Sequence, residues 1–451
     1  MPHTPSRTLA MITLSIAIGL AVLDSIIANL ALPTIATSLA VSPAASVWVV
    51  NAYQLAMTVS LLPLAALGDI SGHRRIYMVG LVVFTLASLA CGLAPTLPLL
   101  VLARLLQGIG AACITAVNMA LVRHITPREH LGRSMGIIGL VVAAAATAGP
   151  SIASAILAVA PWPYLFLLNV PLGALALALA LRALPVTPGS GHRFDMASAL
   201  LNAAGCGLIF LGAAGFGPGD HTARSALILT VGLVIFIGFL RRQTRLAAPM
   251  LPVDLLRLPV FAVSAATSVC AYIGQTLVFV ALPFFYLVAG GRSQVETGLL
   301  MTAWPAALVI AAPLAGRLAD RYAAGRLCGA GLAVMAGGML LLARLPADAP
   351  MLAIIAPLLV CGAGFGLFQS PNNRAFMVSA PLDRSGACAG LMTTARLTGQ
   401  TIGGLLVASI FAITGIGPAA IGQGVSLALL VAAGFAAAAT AISLLPRRSL
   451  P

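Results

Sequence analysis

The sequence predicts an all-α integral membrane protein of about fourteen spanning helices, and three observations predict it. Of its 451 residues, 60% are hydrophobic and only 8% are charged, whereas a soluble domain keeps roughly a quarter of its residues charged. Apolar stretches of about 18–25 residues recur along the chain, long enough as helices to cross a hydrocarbon core of roughly 30 Å. The 45 glycines and abundant alanines suit close helix packing in lipid. A membrane β-barrel would instead show alternating segments of about ten residues, and these are absent.

Taken in order, the spans are expected near 8–32, 46–68, 76–94, 97–122, 134–158, 164–184, 196–216, 225–240, 260–288, 297–319, 327–343, 351–370, 386–414 and 421–445. The first begins after a short tail carrying Arg7 and runs straight into LDSIIANLALP (23–33). It exceeds a signal-peptide core in length, so it reads as a retained span. With the N-terminus inside, nineteen of the 24 arginines fall on the inner side, and only Arg224, Arg292 and Arg344 fall on the outer. Positive residues concentrate on the cytoplasmic side of such proteins. Both termini are therefore expected inside, at the cytoplasmic (inner) membrane.

Several function classes drop out. The net charge of +14 is scattered between spans, so no nucleic-acid partner is expected. All basic residues are arginine and none is lysine; a P-loop needs its lysine on the nucleotide phosphates, and a Schiff base needs one too. No nucleotide is expected. The seven cysteines (Cys91, Cys113, Cys206, Cys270, Cys328, Cys361, Cys388) fall singly and read as small buried hydrophobes, not as a disulfide framework or a zinc site. The six histidines (His3, His73, His124, His130, His192, His221) are placed in loops or tails, with no cysteine or acid at ligand spacing. GAGFG (362–366) lies within a span and lacks the strand a dinucleotide site requires; it reads as helix packing. No loop is long enough for a catalytic domain. The chain is expected to be no enzyme, with no cofactor and no metal.

A repeat organises the spans. ALGDISGHRR (66–75) follows the second span and AGRLADRYAAGR (315–326) follows the tenth, each placing an aspartate before a basic turn. Asp320 follows Asp69 by 251 residues, whereas six spans with short loops occupy roughly 180. The excess matches two extra spans. The expected division is a six-helix half over 1–185, an inserted pair with an interfacial linker over 186–258, and a second six-helix half over 259–451. The linker RRQTRLAAPMLPVDLLRLP sets arginines beside leucines, so they can snorkel. Parallel halves of this kind are a transporter architecture, with the substrate site between them near the midplane.

These stretches, with others, resemble the fourteen-span drug:proton antiporter branch of the major facilitator superfamily. LDSIIANLALP looks like its first-span motif, ALGDISGHRR like its inter-span loop motif, and RLLQGIGAA (104–112) like its fourth-span motif. AGPSIAS (148–154) is similar to its antiporter motif. PWPYLFLLNVPLG (161–173), PMLPVDLLRLPVF (249–261), GFGLFQSPNNRAFM (364–377) and TTARLTGQTIGG (393–404) are similar to later signatures. The chain departs at Ala65 and Ile70 in the loop motif, at Ala145, Ala153 and Ser154 in the antiporter motif, and at Pro163 and Tyr164. The second loop keeps both Asp320 and Arg321. The resemblance implies a major-facilitator fold and export of amphipathic drugs, biocides or lipophilic cations in exchange for protons. The runner-up is a dedicated exporter of an endogenous metabolite; a membrane-integral enzyme or a non-transporting receptor is the reading from another class. A monomer is expected, with a small-molecule substrate, protons and the bilayer as its partners.

The residues single out one site independently. Arg104 is the only charge from Leu97 to Val122, and an unpaired arginine at mid-membrane costs at least about 2.5 kcal/mol. Asp24 is the only acid in the body of a span. At 1.5 Å per residue, Asp24 lies about 24 Å from the inner start of span one and Arg104 about 11 Å from the outer start of span four. Both therefore lie at similar depth in the outer half, and a pair is expected, direct or through Gln107 or water. Gly108, Gly110 and Ala112 beside Arg104 admit close helix approach. The pair is either a static register device or a proton switch. Burial favours a neutral acid and a guanidinium favours the charged one, so a change of solvent access would load and unload the proton. The arginine cannot release its own.

Other candidates are weighed the same way. Arg396, with Gln400 one turn on, is expected either to bond polar groups such as Gln369 or Asn372 or to gate. Asn29 and Glu296 complete the cavity candidates, Glu296 being the only second acid available for a cationic substrate. Gly149-Pro150 is a packing kink or a hinge, because proline removes a helix hydrogen bond. Asp69, Gly72 and Arg74, with Asp320 and Arg321, are expected at inner helix ends. There the aspartates either cap a helix N-terminus, as the dipole favours, or, as the resemblance implies, latch the outward-facing state.

Overall fold

The computed structural model describes residues 7–190, 194–215, 222–246, 249–346, 348–378, 385–415 and 417–445. His3, His192, Arg193, His221, Arg384, Arg447 and Arg448 lie outside the described residues. Among the described residues, fourteen helices are long and apolar enough to cross a membrane: α1 (Arg7–Ser38), α2 (Pro43–Ser71), α3 (His73–Gly92), α4 (Leu97–Ile125), α5 (Leu131–Val159), α6 (Pro163–Ala183), α7 (Met196–Ala214), α8 (Ala223–Gln243), α9 (Pro259–Ala289), α10 (Gln294–Leu318), α11 (Ala324–Ala343), α12 (Met351–Val378), α13 (Cys388–Thr414) and α14 (Pro418–Ser443). The side carrying Arg7 and Ser443 is called the terminal side below, and the opposite one the far side.

Local chemistry sets the helix ends. The Ser42 hydroxyl accepts from the Ala45 amide at the start of α2, and Ser293 with Glu296 forms a reciprocal capping box at the start of α10. Two helices outrun their expected ends. α1 continues to Ser38 and α12 to Val378. The polar run after residue 370 does not stop α12, because Asn372 donates to the Ser268 hydroxyl of α9 at 2.8 Å. A polar side chain with a partner on a neighbouring helix is compatible with a membrane span.

The core is asymmetric across the membrane. One buried cluster unites the halves on the far side, Leu32, Val49 and Phe166 with Tyr286, Trp304 and Phe411, and continues within the second half to Cys328 and Ala439 near the terminal side. On the terminal side a second cluster, with Leu14, Tyr77, Leu121 and Ala180, is built almost wholly from α1–α6, with Leu397 of α13 added. Polar contacts between the halves follow the same pattern. Gln294 donates to the Thr34 hydroxyl at 2.8 Å, and the Ser151 and Thr302 hydroxyls meet at 2.9 Å. Thr58 and Thr401 meet at 3.1 Å near mid-helix. At Gly298 a Cβ would come within 2.8 Å of the Pro150 carbonyl, so α5 and α10 approach there as only glycine permits. The halves are joined on the far side.

α5 runs unbroken through Pro150, and a Cβ at Gly149 would lie 2.9 Å from Ile26 of α1. The helices α7 and α8 pack on each other, and α7 touches both α2 and α13. Asn202 of α7 donates to the Val59 carbonyl at 2.8 Å, and Phe210 meets Trp48 edge-on at 5.2 Å. Leu251 and Leu255 of the linker are buried with Phe239, Phe261 and Phe376.

Candidate proton and substrate sites

Asp24 and Arg104 are in direct contact. Arg104 Nη1 donates to Asp24 Oδ2 at 2.6 Å and to Gln107 Oε1 at 2.7 Å, while its Nε donates to the Val49 carbonyl at 3.0 Å. Gln107 Nε2 donates to Asp24 Oδ1 at 2.8 Å and to the Ser88 hydroxyl at 2.8 Å. Asn169 Nδ2 of α6 reaches the same Oδ1 at 2.6 Å. Asp24 is 2% exposed and Arg104 is fully buried. Three donors and no acceptor face the Asp24 side chain, which is the hydrogen-bond inventory of a carboxylate.

Five helices assemble this network, α1–α4 and α6, and the backbone explains how they come so close. A Cβ at Gly108 would lie 2.5 Å from the Tyr53 carbonyl, and one at Gly110 would lie 2.5 Å from the Phe84 amide. These glycines let α4 settle against α2 and α3. The guanidinium then lies over the Tyr53 ring, 4.2 Å from its centroid, with Phe166 at 5.4 Å. Arg104 Nη2 has no hydrogen-bond partner; the ring faces supply cation–π attraction instead. Tyr53 is held by a 3.3 Å bond to the Ala21 carbonyl.

Asn169, Ser88, Tyr53 and Phe166 escaped the sequence reading. Asn169 was detectable, as an amide inside an apolar span is costly unless bonded; the two rings carried no such signal. Cys91, read as a small hydrophobe, also touches the network through a 3.4 Å contact from its Sγ to Gln107 Oε1.

In the second half, a recess is lined by Ser268 and Tyr272 of α9, Phe368, Gln369 and Asn373 of α12, and Met392, Thr393 and Arg396 of α13. Arg396 does not bond Gln369 or Asn372, contrary to one of the two expectations for it. Gln369 Nε2 donates to the Tyr272 hydroxyl at 2.8 Å, Asn372 is committed to Ser268, and Arg396 Nε is buried without a hydrogen-bond partner. Gln400 is half-buried on α13. Glu296 is exposed and occupied in its capping box. Asn29 Nδ2 bonds the Ser25 carbonyl of its own helix at 3.3 Å, and its Oδ1 is buried without a partner.

The loop aspartates do not cap helix N-termini. Asp69 lies in the last turn of α2 and Asp320 just beyond the end of α10, where the dipole disfavours an acid. Polar partners occupy both. Asp69 meets His73 Nε2 at 3.0 Å and Asp320 pairs with Arg374 of α12. His73 thus pairs with an acid one helical turn away and opens α3, while His124 lies in the last turn of α4; the loop placement of these two is corrected. Gly72 takes φ +94°, and a Cβ there would come within 2.5 Å of the Thr187 carbonyl. Arg74 fastens the same corner, its amide to the Thr187 hydroxyl at 3.0 Å and its guanidinium to the Leu181 carbonyl at 2.9 Å. Arg321 is exposed.

A fourteen-helix bundle, joined at one side, with a sealed ion pair in one half and a charged recess in the other, defines a membrane transporter. The chain belongs to the Major Facilitator Superfamily, whose model matches residues 14–404 and 265–449. It is 52% identical over 406 residues to "Uncharacterized transporter YebQ" of Escherichia coli, covering 90% of this chain and 89% of that one. "Riboflavin transporter RibZ" of Clostridioides difficile is 31% identical over 409 residues, with 90% and 88% covered. "Multidrug resistance protein Stp" of Mycobacterium tuberculosis is 31% identical over 413 residues, with 90% and 76% covered. The fold is that of a bacterial Spinster homologue in an inward-facing conformation, at TM-score 0.69, 13% identity and coverage of 97% and 96%. It is also that of the D-xylose-proton symporter, at TM-score 0.67, 14% identity and coverage of 96% and 97%.

Proposed function

We propose that the chain is a proton-coupled antiporter of the fourteen-span drug:proton branch, exporting amphipathic organic compounds across the cytoplasmic membrane. One observation carries the reading: the acid of the membrane interior, Asp24, is bonded to Arg104 and Gln107 of α4 and Asn169 of α6 and is sealed from solvent. Protonating it would replace an ion pair with a neutral acid facing three donors. The proton state of Asp24 is thereby tied to the packing of α1, α4 and α6. With both termini cytoplasmic, the far side is the outer one, and the conformation is inward-facing. A proton entering from outside drives the cycle; one charge moving down 100 mV yields about 2.3 kcal/mol. The division into 1–185, 186–258 and 259–451, and the monomer, belong to this reading.

Relatives named for multidrug resistance and for tetracenomycin C resistance and export support drug-like cargo. The relative named as a riboflavin transporter favours the second reading, a dedicated metabolite exporter on the same scaffold. A resistance panel in a pump-deficient host separates the two. Coupling is tested in inverted vesicles: an uncoupler should stop export while ATP is kept high. Export that survives the uncoupler but needs ATP overturns the proposal.

A further inference from the structure

The charge inventory of the two halves is unequal. In the first half, the intramembrane acid and base cancel in one buried pair, Asp24 with Arg104. In the second, Arg396 forms no ion pair among the described residues, and its guanidinium lines the recess between α9, α12 and α13. The recess also presents hydroxyl donors. Tyr272 accepts from Gln369 and Ser268 accepts from Asn372, which leaves each hydroxyl hydrogen free to point elsewhere. A permanent cation and two hydroxyl donors, with no carboxylate lining the recess, make a site for an acceptor. They repel a cation.

Beside it runs an aromatic wall. Tyr272 meets Phe365 edge-on at 5.3 Å, Phe365 meets Phe368 at 5.6 Å, and Trp304 stands 6.2 Å from Phe365. Trp304 Nε1 is a further buried donor without a partner. Flat rings pack on such walls by offset and edge-on contact. Recess and wall lie on the side of the second half that meets the first. There α9 packs on α1 and α13 packs on α2.

We propose that the recess around Arg396 is an anion-binding subsite, and that the preferred substrates are flat aromatic compounds bearing a carboxylate or a comparable acidic group. The proposal rests on the transport reading above and narrows its substrate class away from lipophilic cations. Outward movement of an anion is also favoured by an inside-negative potential, so substrate and proton are driven by the same field.

The test uses three tritiated probes on one ring: 2-naphthoate, 2-naphthalenemethanol and 2-naphthylmethylammonium. Equilibrium binding to the purified full chain should rank the carboxylate at least tenfold above the ammonium. Arg396→Gln should cut the preference for carboxylate over alcohol about tenfold, Arg396→Lys should keep part of it, and Tyr272→Phe should reduce it about threefold. A purely structural arginine would weaken carboxylate and alcohol together and leave their ratio unchanged; that result overturns the proposal. So does an ammonium that binds the wild type as tightly as the carboxylate. Should Arg396→Gln fail to fold, Arg396→Lys and Tyr272→Phe read the same ratio. Binding that follows the expected ranking while no probe drives proton exchange in vesicles retains the subsite and defeats the antiport reading, so the two fail separately.

Discussion

Asn169 Nδ2 lies 2.6 Å from Asp24 Oδ1, on the oxygen that Gln107 also bonds, while Arg104 takes the other oxygen. This amide of α6 completes the donor set around the acid and ties a third helix, after α1 and α4, to it. Truncating it removes a hydrogen bond to a charged group, worth about 1.5–3 kcal/mol. Asn169→Ala should therefore lower Tm and weaken substrate-driven proton exchange. A variant with wild-type Tm and exchange would show the contact to be incidental.

The acid itself gives a sharper contrast. Asp24→Asn keeps the size but turns an amide NH2 toward at least one of three donors, at about 1–3 kcal/mol. A folded, less stable protein without substrate-driven proton release is expected. Arg104→Ala strands a buried carboxylate and should cost about 3–5 kcal/mol, and Arg104→Lys should recover only part, lacking the planar fork. In the double variant Asp24→Asn, Arg104→Gln, stability should return and coupling should not. Full coupled transport by that charge-free variant would reduce the pair to a register device.

The loop aspartates test the latch. The Asp69–His73 pair is exposed and one helical turn long, a type worth about 0.3–0.5 kcal/mol. Asp69→Asn should barely move Tm, yet slow vesicle transport severalfold if the carboxylate engages another partner when the terminal side closes. Asp320→Asn should behave alike. Transport at the wild-type rate in both would dismiss the latch.

Asp195 supplies a pH dependence outside the spans. Burial acts to raise its proton affinity, but bonds from Ser198 and Arg242 outweigh that and hold the carboxyl below its ordinary value. A depressed folded value means the contribution is present above the unfolded value, about 3.9, and is lost as pH falls through the folded one. Arg242 is largely exposed, so the contribution is about 1 kcal/mol or less. Asp195→Asn should lower Tm slightly at pH 7, and the difference should shrink as pH falls below about 4 and vanish below the depressed folded value. A difference that persists in acid would point to the helix cap alone.

Topology is checked with reporters. A reporter inserted within the 241–258 linker, and one fused after Leu445, should both read cytoplasmic. An external signal from the linker would contradict the orientation assigned to the inserted pair.

The sequence by itself determined the span count, because hydropathy over about twenty residues is a local property that lipid enforces segment by segment. It also singled out Asp24 as the partner for Arg104, since no other intramembrane acid was available to the first buried arginine, and the structure made the contact direct. The tertiary structure decided what no single segment encodes. Asn169, Tyr53 and Phe166 reach the pair only once α1, α2, α4 and α6 pack at glycine-permitted distances. Asn372 turned out to be committed to Ser268, which left Arg396 unpaired in its recess. Glu296 was different: it read as a second cavity acid although its spacing to Ser293, a local signal, already marked a cap. Side-chain partners across helices depend on rotation and depth, and hydropathy carries neither.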